Sequence, residues 1–339
     1  MIKIKTFVPS YFEKFRCIAG KCPDTCCIGW EVDIDDETAE KYSALSGQLS
    51  DKIKKHLTVD ETGCNIFTLC DKDRCPFLDK NNLCEIFLGA GENYLSKTCT
   101  LFPRFFDNFG NFREMGLGFG CPEAARIILE DEENFSLKLY EETDESYEEI
   151  DEIFLAEILE LRAEIFGILE DENLNFITKI KNVFSLTKSF QMLIDGEDFV
   201  DEKQEKAFGD CLKILEEMEY INQERKVFVK ELKNKTVLNN PLEIYQKDFE
   251  KLMKYYIFRY LLKAVYDYDV LTKIKYGVFA AVVISRIYSA YENLTCEDRA
   301  KIMYSYSKEV EYSDLNMDLL DEKMYSDFGT EDLINLLLK

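Results

Sequence analysis

Residues 270–291 read VLTKIKYGVFAAVVISRIYSAY, a stretch that by itself indicates the fold class. Its apolar residues recur at the spacing of a helix face, and Gly277 is the only glycine within it. The continuous apolar part, 276–284, stops at Ser285 and Arg286, well short of the roughly 20 residues that span a bilayer. The stretch therefore predicts a long helix that does not cross a membrane.

The same spacing recurs along the second part of the chain. Further helices are predicted over 150–169, 173–194, 207–221, 242–266 and 330–338. Residues 126–339 contain a single proline, Pro241, whereas residues 1–125 hold five prolines and ten of the 12 cysteines. We therefore predict a mainly α protein with two domains. A small, irregular, Cys-rich metal-binding domain with short strands over 1–125 packs on an acidic, all-helical domain over 126–339.

Local signals refine the first part. Alternating residues predict short strands at 30–34 and 65–69. Asp35 or Asp36 can cap a helix over 37–45, because a carboxylate accepts from free backbone N–H groups. Pro122 suits the first position of a further helix, where its missing N–H costs nothing.

Charge excludes several classes of protein. The 339 residues include 66 acidic and 42 basic ones, a formal net charge of −24, and residues 126–339 carry −20 of it. Coating nucleic acid or docking on an anionic membrane needs clustered Lys and Arg, so neither is expected. His56 is the only histidine and fits neither a catalytic triad nor an H-E-x-x-H zinc site.

The N-terminus, MIKIKTFVP, lacks the apolar run and small-residue cleavage site of a signal peptide, so a cytoplasmic location is expected. Thiols are normally reduced there, and clustered cysteines then more often bind metal or perform redox chemistry than form disulfides. Two of the 12 cysteines, Cys211 and Cys296, stand alone in the helical part and are interpreted as packing residues.

The first cysteine cluster runs from Cys17 to Cys27 and has four thiols in eleven residues. Gly20, Pro23 and Gly29 supply the turns that bring thiolates together. Adjacent residues point in different directions, so Cys26 and Cys27 are not expected to play equivalent roles in one site. Either two centres exist or one of the pair packs elsewhere.

A second cluster comprises Cys75, Cys84, Cys99 and Cys121. A turn at 79–82 would fold Cys84 back toward Cys75. Neither the paired C-x2-C knuckles of zinc ribbons nor the spacing of bacterial ferredoxins is present. Thiolate chemistry suits both metals, and an iron–sulfur cluster is favoured over zinc.

These motifs resemble the bacterial flagellin lysine-N-methylase family, which overlaps a group of zinc- or iron-chelating proteins named for a C-x2-C-x2-C-C pattern. The resemblance rests on FRC (15–17), CPDTCCIGW (22–30), LSKTC (95–99), FPR (102–104) and CPEAAR (121–126). This chain departs from the pattern in its spacings of x4 and x3 but keeps the final Cys-Cys pair. The specific part of the resemblance covers residues 11–126.

The resemblance implies transfer of a methyl group from S-adenosylmethionine to lysine side chains of flagellin. It also implies an iron–sulfur cluster, of the 4Fe-4S type, with zinc as the alternative. The metal-ligand candidates carried over are Cys17, Cys22, Cys26, Cys27, Cys75, Cys84, Cys99 and Cys121.

Methylation of a neutral amine can be a direct displacement, which requires alignment of the two reactants and removal of a proton. The C-x3-C-x2-C triplet of radical S-adenosylmethionine enzymes is incomplete, since Gly29 follows the Cys22-x3-Cys26 start. Polar transfer with a structural or regulatory cluster is therefore favoured. No catalytic base and no nucleotide-binding glycine loop can be assigned, and the glycines at 89–91 and 116–120 are interpreted as turns.

Two features of the helical part allow two interpretations each. Residues 130–172 hold 18 acidic and two basic residues, which form either a solvated face or a surface that attracts lysine-bearing segments. The tyrosines of 254–288 form either a core stripe or a cation-binding surface, and Arg259 and Arg286 would need partners such as Asp267 or Asp269. The alternative functions are a non-catalytic metal- or redox-sensing interaction module and an iron–sulfur redox enzyme.

Overall fold

The 270–291 stretch forms one helix, Val270–Tyr288, in the computed structural model, which describes residues 2–29, 32–71, 73–133, 135–144, 149–232 and 234–339. Asp269 caps this helix by accepting from the Thr272 N–H, and nearly all its residues are buried. Other helices pack against it, and helices predominate over strands in the described residues. The predicted mainly α character is therefore confirmed.

The helices are, in chain order, α1 Asp36–Ser43, α2 Gln48–His56, α3 Glu85–Ala90, α4 Lys97–Leu101, α5 Pro122–Glu130, α6 Glu152–Glu170, α7 Phe176–Asp195, α8 Phe208–Glu217, α9 Gln223–Leu232, α10 Pro241–Ile244, α11 Gln246–Tyr260, α12 Val270–Tyr288, α13 Cys296–Val310, α14 Asp314–Ser326 and α15 Thr330–Leu337. Pro122 is the first residue of α5, and Asp35 caps α1 by accepting from the Thr38 N–H, as predicted. Helices α11, α7 and α15 pack directly on α12.

The strands are β1 Ile2–Pro9, β2 Asp33–Ile34, β3 Leu57–Val59, β4 Asn65–Phe67, β5 Arg104–Phe109, β6 Phe112–Leu117 and β7 Leu137–Asp144. They form a four-stranded sheet of order β5-β6-β1-β7 and a small three-stranded sheet of order β2-β4-β3. The predicted strand at 65–69 is confirmed by β4, and that at 30–34 in part by β2, since Trp30 and Glu31 lie outside the described residues.

Strand β7 corrects the prediction of an all-helical second part. It pairs antiparallel with β1 over eight residues, from Ile2 opposite Asp144 to Pro9 opposite Leu137. Lys5 lies opposite Glu141, an opposite-charge pair that favours this register. The local sequence is acidic and contains little apolar alternation, so its pairing depends on a strand more than 120 residues away. The division into domains at 125/126 itself stays a prediction.

The described helices and strands pack around two separate hydrophobic cores. The larger core takes most of its residues from α5–α15 but also includes Tyr11, Phe15, Phe119 and Cys121 from the first part. The smaller core lies between the three-stranded sheet and helices α1–α4 and includes Tyr42, Phe67 and Phe77. The cysteine-rich segments run between the two cores.

Candidate functional site

Four of the predicted metal ligands gather in the smaller core. Cys75 is buried there, and Cys27, Cys84 and Cys99 pack against it. The Cys75 N–H donates to the Cys27 carbonyl at 2.9 Å, which ties the two cysteine clusters together through their backbones. Cys84 begins α3, and Cys99 lies in α4, where its N–H donates to the Ser96 hydroxyl. Thiols from four segments of the chain therefore share one small apolar interior.

The other four candidates lie outside the smaller core. Cys121 is buried in the larger core directly before α5, whereas Cys17 and Cys26 are exposed and Cys22 is half-buried. The boundary between the two groups is the adjacent pair, since the sulfur atoms of Cys26 and Cys27 are 3.9 Å apart. Cys27 thus packs against the smaller core whereas Cys26 is exposed, and their inequivalent roles in a metal site stay a prediction.

The pKa values of these thiols differ in the same way. A hydrogen bond from the Cys26 thiol lowers the pKa of Cys27 to about 7, against the effect of its burial, and Lys308 adds to the lowering. Burial raises the pKa of Cys75 and Cys99 to about 12, and the charge of Cys27 adds to both. Burial also raises the pKa of Cys121 to about 12. The pKa of Cys27 is thus lowered, whereas the pKa values of Cys75, Cys99 and Cys121 are raised.

Two basic side chains of the helical part contact the loop that carries the first cysteine cluster. The Lys308 ammonium, almost fully buried on α13, donates to the Thr25 carbonyl at 2.6 Å and lies 3.2 Å from the Asp24 carboxylate. Arg225 of α9 bridges Asp24 at 3.1 Å and Glu309 at 2.7 Å. Although burial opposes ionisation of Asp24, these cations keep its pKa below the usual value. We call these four contacts the Asp24 latch.

The donor set fits a thiolate-bound group in its chemistry, since four cysteines share the smaller core. Within the described ranges, however, no three Cys, His, Asp or Glu side chains are close enough together to hold a metal ion as they stand. Ligation by Cys27, Cys75, Cys84 and Cys99 would therefore require their side chains to turn toward a common point. Of the remaining cysteines, Cys64 and Cys70 are exposed.

The glycine run before Cys121 is a site of close packing against aromatic rings. A side chain at Gly118 would place its Cβ 2.0 Å from the Tyr312 hydroxyl, and one at Gly120 would meet the same ring at 2.4 Å. Gly116 lies within β6, where a Cβ would overlap the Phe105 ring. The interpretation of 116–120 as turns is therefore wrong for Gly116, which lies in β6, whereas a turn at 118–121 is closed by the Cys121 N–H donating to the Gly118 carbonyl at 3.4 Å.

The tyrosines of α11 surround one buried carboxylate that the sequence analysis did not single out. Glu311 accepts from the hydroxyls of Tyr255 at 2.8 Å, Tyr260 at 2.9 Å and Tyr256 at 3.0 Å. Arg259 completes the group at 3.3 Å from Glu311. The core-stripe interpretation is therefore correct for these tyrosines, and Glu311 takes the place of Asp267 or Asp269 as the expected partner of Arg259.

Carboxylates from both ends of the acidic stretch 130–172 line one cavity of about 1210 Å³, which we call the acidic cleft. It lies between the end of α5, the end of α6 and the first half of α11. Its acidic lining residues include Glu130, Asp131, Glu132, Glu133, Glu170, Glu172, Asp248 and Glu250.

The acidic cleft already binds ammonium groups of the chain itself. Lys14 reaches Asp131 at 2.7 Å, Lys254 reaches Glu170 at 2.8 Å, and Lys179 pairs with Glu250. Glu132 and Glu172 are exposed and, within the described residues, form no ion pair. The cleft is thus lined by basic as well as acidic side chains, and these two carboxylates remain without an ion-pair partner among the described residues. The basic lining residues are Lys179, Lys247, Lys251, Lys254 and Arg299.

Comparison with known proteins fits this arrangement. The family model described as the FliB lysine N-methylase C-terminal domain matches residues 125–338, more than half of the chain. The chain belongs to the FliB lysine N-methylase family. The acidic cleft, apart from Tyr11, lies within the matched range. The cysteines on which the resemblance to this family rests lie before residue 125, outside the matched range.

Individual relatives agree with the family. A lysine-N-methylase of Salmonella typhimurium is 28% identical over 151 residues, which cover 40% of this chain and 35% of that protein. A lysine-N-methylase of Salmonella choleraesuis is 30% identical over 142 residues, with the same shares. The flagellar biosynthetic protein FliU of Salmonella muenchen is 28% identical over 151 residues, which cover 84% of it.

The match to these lysine-N-methylases thus spans about a third of their length. No solved structure matches the chain. No helix among the described residues is long and apolar enough to cross a bilayer.

Proposed function

We propose that this member of the FliB lysine N-methylase family is a protein-lysine N-methyltransferase that transfers a methyl group from S-adenosylmethionine to a flagellar protein, flagellin. Its family membership and the names of its relatives support the reaction and a flagellar substrate. The structural observation that carries the proposal is the acidic cleft, in which lysine ammonium groups already rest on carboxylates.

The transfer is a displacement at the methyl carbon. The lone pair of the neutral lysine amine forms the new N–C bond, and the C–S bond breaks with its electron pair remaining on sulfur. A proton must leave the amine, and carboxylates of the cleft or water can accept it. The protein contributes alignment of the two reactants and exclusion of water.

The acidic cleft would act first as a docking site for the charged form of the lysine. Complementary charge raises the rate of encounter and orients the incoming chain. Glu132 and Glu172 are the carboxylates best suited to this step, since they are exposed, line the cleft and have no ion-pair partner in the described residues. We therefore assign lysine binding to the two ends of the acidic stretch, which line the cleft, and not to its middle.

The direct test incubates the purified chain with flagellin and S-adenosylmethionine and identifies methylated lysines by mass spectrometry. The double variant Glu132→Gln, Glu172→Gln should raise the KM for flagellin several-fold while kcat changes little. The control Glu157→Gln, Glu160→Gln removes the same charge from exposed parts of α6 outside the cleft. Absence of any methyl transfer would refute the function, and equal KM values for the two variants would refute the role of the cleft.

We further propose that Cys27, Cys75, Cys84 and Cys99 hold the metal group, an iron–sulfur cluster in preference to zinc. Their shared position in the smaller core supports this set. Such a group would cross-link loops that have little regular structure, and polar methyl transfer does not depend on it. Iron and sulfide content of anaerobically purified Cys75→Ala should fall to background, whereas Cys64→Ala, an exposed control, should keep both. Retention of iron by Cys75→Ala, or zinc in the unmodified protein, would contradict the assignment.

A further inference from the structure

A second large cavity, of about 1110 Å³, lies on the other side of Gln246 from the acidic cleft. We call it the arginine cleft. It lies between the first turn of α7, the segment around α10, one side of α12 and the end of α15. Its floor is apolar, with Phe176, Val282 and Leu336 among the lining residues.

Four charged residues line this cleft, Lys181, Glu243, Arg286 and Lys339, and Arg286 has the least satisfied side chain. Its guanidinium lies over the Phe208 ring at 5.6 Å, and its Nη2 donates to the Lys235 carbonyl at 3.1 Å. Its Nε is buried without a hydrogen-bond partner, and no carboxylate in the described part of the chain pairs with it. The prediction that Asp267 or Asp269 would pair with Arg286 was therefore wrong.

Arg286 differs in this respect from the two more deeply buried arginines that lie on neighbouring helices. The buried guanidinium groups of Arg162 and Arg259 both have a carboxylate partner, Glu114 and Glu311 respectively. Arg286 itself is half-buried, and a charge that is partly withdrawn from water is stabilised by a counter-ion. A planar guanidinium matches the two oxygens of a carboxylate. The structure thus leaves a place for an external anion.

Asn239 adds a second unmet requirement. Its side-chain oxygen is buried without a hydrogen-bond partner, while its Nδ2 donates to the Tyr291 carbonyl. A ligand of this cleft should therefore combine a carboxylate for Arg286, an N–H or O–H donor for Asn239 and an apolar or aromatic portion for the floor.

Gln246 lines both cavities and is fixed at their border. Its amide donates to the Leu174 carbonyl at 3.0 Å and to Glu250 at 2.8 Å. A displacement reaction needs its two reactants in adjoining sites, within contact distance of each other. The two clefts adjoin at one side chain, so reactants bound in them would approach each other there.

We propose that the arginine cleft binds the methyl donor S-adenosylmethionine, with its amino-acid carboxylate on Arg286 and its adenosine part along the apolar floor. This inference rests on the proposed function, in which the lysine occupies the acidic cleft. Methyl transfer then takes place at Gln246. Among the described residues, the side chains of Arg286 and Asn239 make only the polar and ring contacts given above.

Calorimetry tests the site with two probes. S-adenosylhomocysteine, the stable product, carries the carboxylate, and adenosine lacks it. In Arg286→Met the affinity for S-adenosylhomocysteine should fall at least tenfold, because a charge-assisted bidentate contact is lost, whereas the affinity for adenosine should stay within about twofold. Lys301→Met, which removes one exposed charge on α13, should leave both affinities unchanged. Thermal unfolding of the variants verifies that each is folded.

Equal loss of both probes, no loss of either, or no binding of S-adenosylhomocysteine to the unmodified protein would overturn the inference. Methyl transfer to flagellin separates it from the proposed function. If Arg286→Met transfers methyl groups with an unchanged KM for the donor, the function stands and the site is wrong. If no variant transfers methyl groups, the function fails, and the calorimetry still decides whether the arginine cleft binds this ligand.

Discussion

Replacing Lys308 by methionine tests whether the helical part positions the cysteine loop. Lys308 is almost fully buried, and its ammonium donates to the Thr25 carbonyl and pairs with Asp24. Hydrogen bonds to a charged group contribute about 1.5–3 kcal/mol each. Asp24 keeps Arg225 as a partner, and methionine keeps most of the apolar stem. We therefore expect Lys308→Met to lower the free energy of unfolding by about 2–4 kcal/mol, less than two full contacts.

Urea unfolding followed by circular dichroism measures this loss, with Lys301→Met as the control on the same helix. The control side chain is exposed, so its effect should stay within about 0.5 kcal/mol. The rate at which a thiol reagent labels the half-buried Cys27 provides a second readout, because a released loop exposes this thiol more often. Equal free energies of unfolding for the two variants, with equal labelling rates, would show that the Asp24 latch does not hold the loop.

Two further predictions concern the fold. Asp201 is buried between Lys188 at 2.9 Å and Lys275 at 3.4 Å; burial opposes its ionisation, but Thr330 and these lysines hold its pKa below the usual value. Its stabilising effect is therefore complete above about pH 3.9 and is lost as the pH falls further, so Asp201→Asn should lower stability at pH 7 by about 2–4 kcal/mol and flatten its decline in acid, measured by urea unfolding across pH. Gly118→Ala should cost about 1–3 kcal/mol, since its Cβ would meet Tyr312, whereas Gly167→Ala in α6, with open space around it, should gain about 0.5–1 kcal/mol in the same assay.

Local sequence signals predicted the helices well. The apolar spacing of 150–169 and 270–291 corresponds to α6 and α12, and the capping role of Asp35 follows from a carboxylate that precedes free N–H groups. These features depend on residues within one or two helical turns of each other. The sequence therefore contains everything that determines them.

Features that depend on distant partners were not predictable in this way. Strand β7 exists because β1, far away in the chain, supplies its hydrogen-bond partners. Glu311 accepts hydrogen bonds from tyrosine hydroxyls of α11, which lie more than 50 residues earlier in the chain, and no sequence motif links the carboxylate to these tyrosines. Similarly, the spacing of the cysteines could not show that Cys27, Cys75, Cys84 and Cys99 share one core.

The positions of the two clefts bear on the role of the cysteines. Apart from Tyr11, every residue that lines either cleft follows Cys121, and Gln246 joins the clefts within α11. The proposed ligands lie in the smaller core, which contacts the helical part through the Asp24 latch. Binding of S-adenosylhomocysteine should therefore survive in Cys75→Ala if the metal group is structural or regulatory. Loss of that binding together with the metal, in a variant that remains folded, would mean that the metal group takes part in forming the donor site.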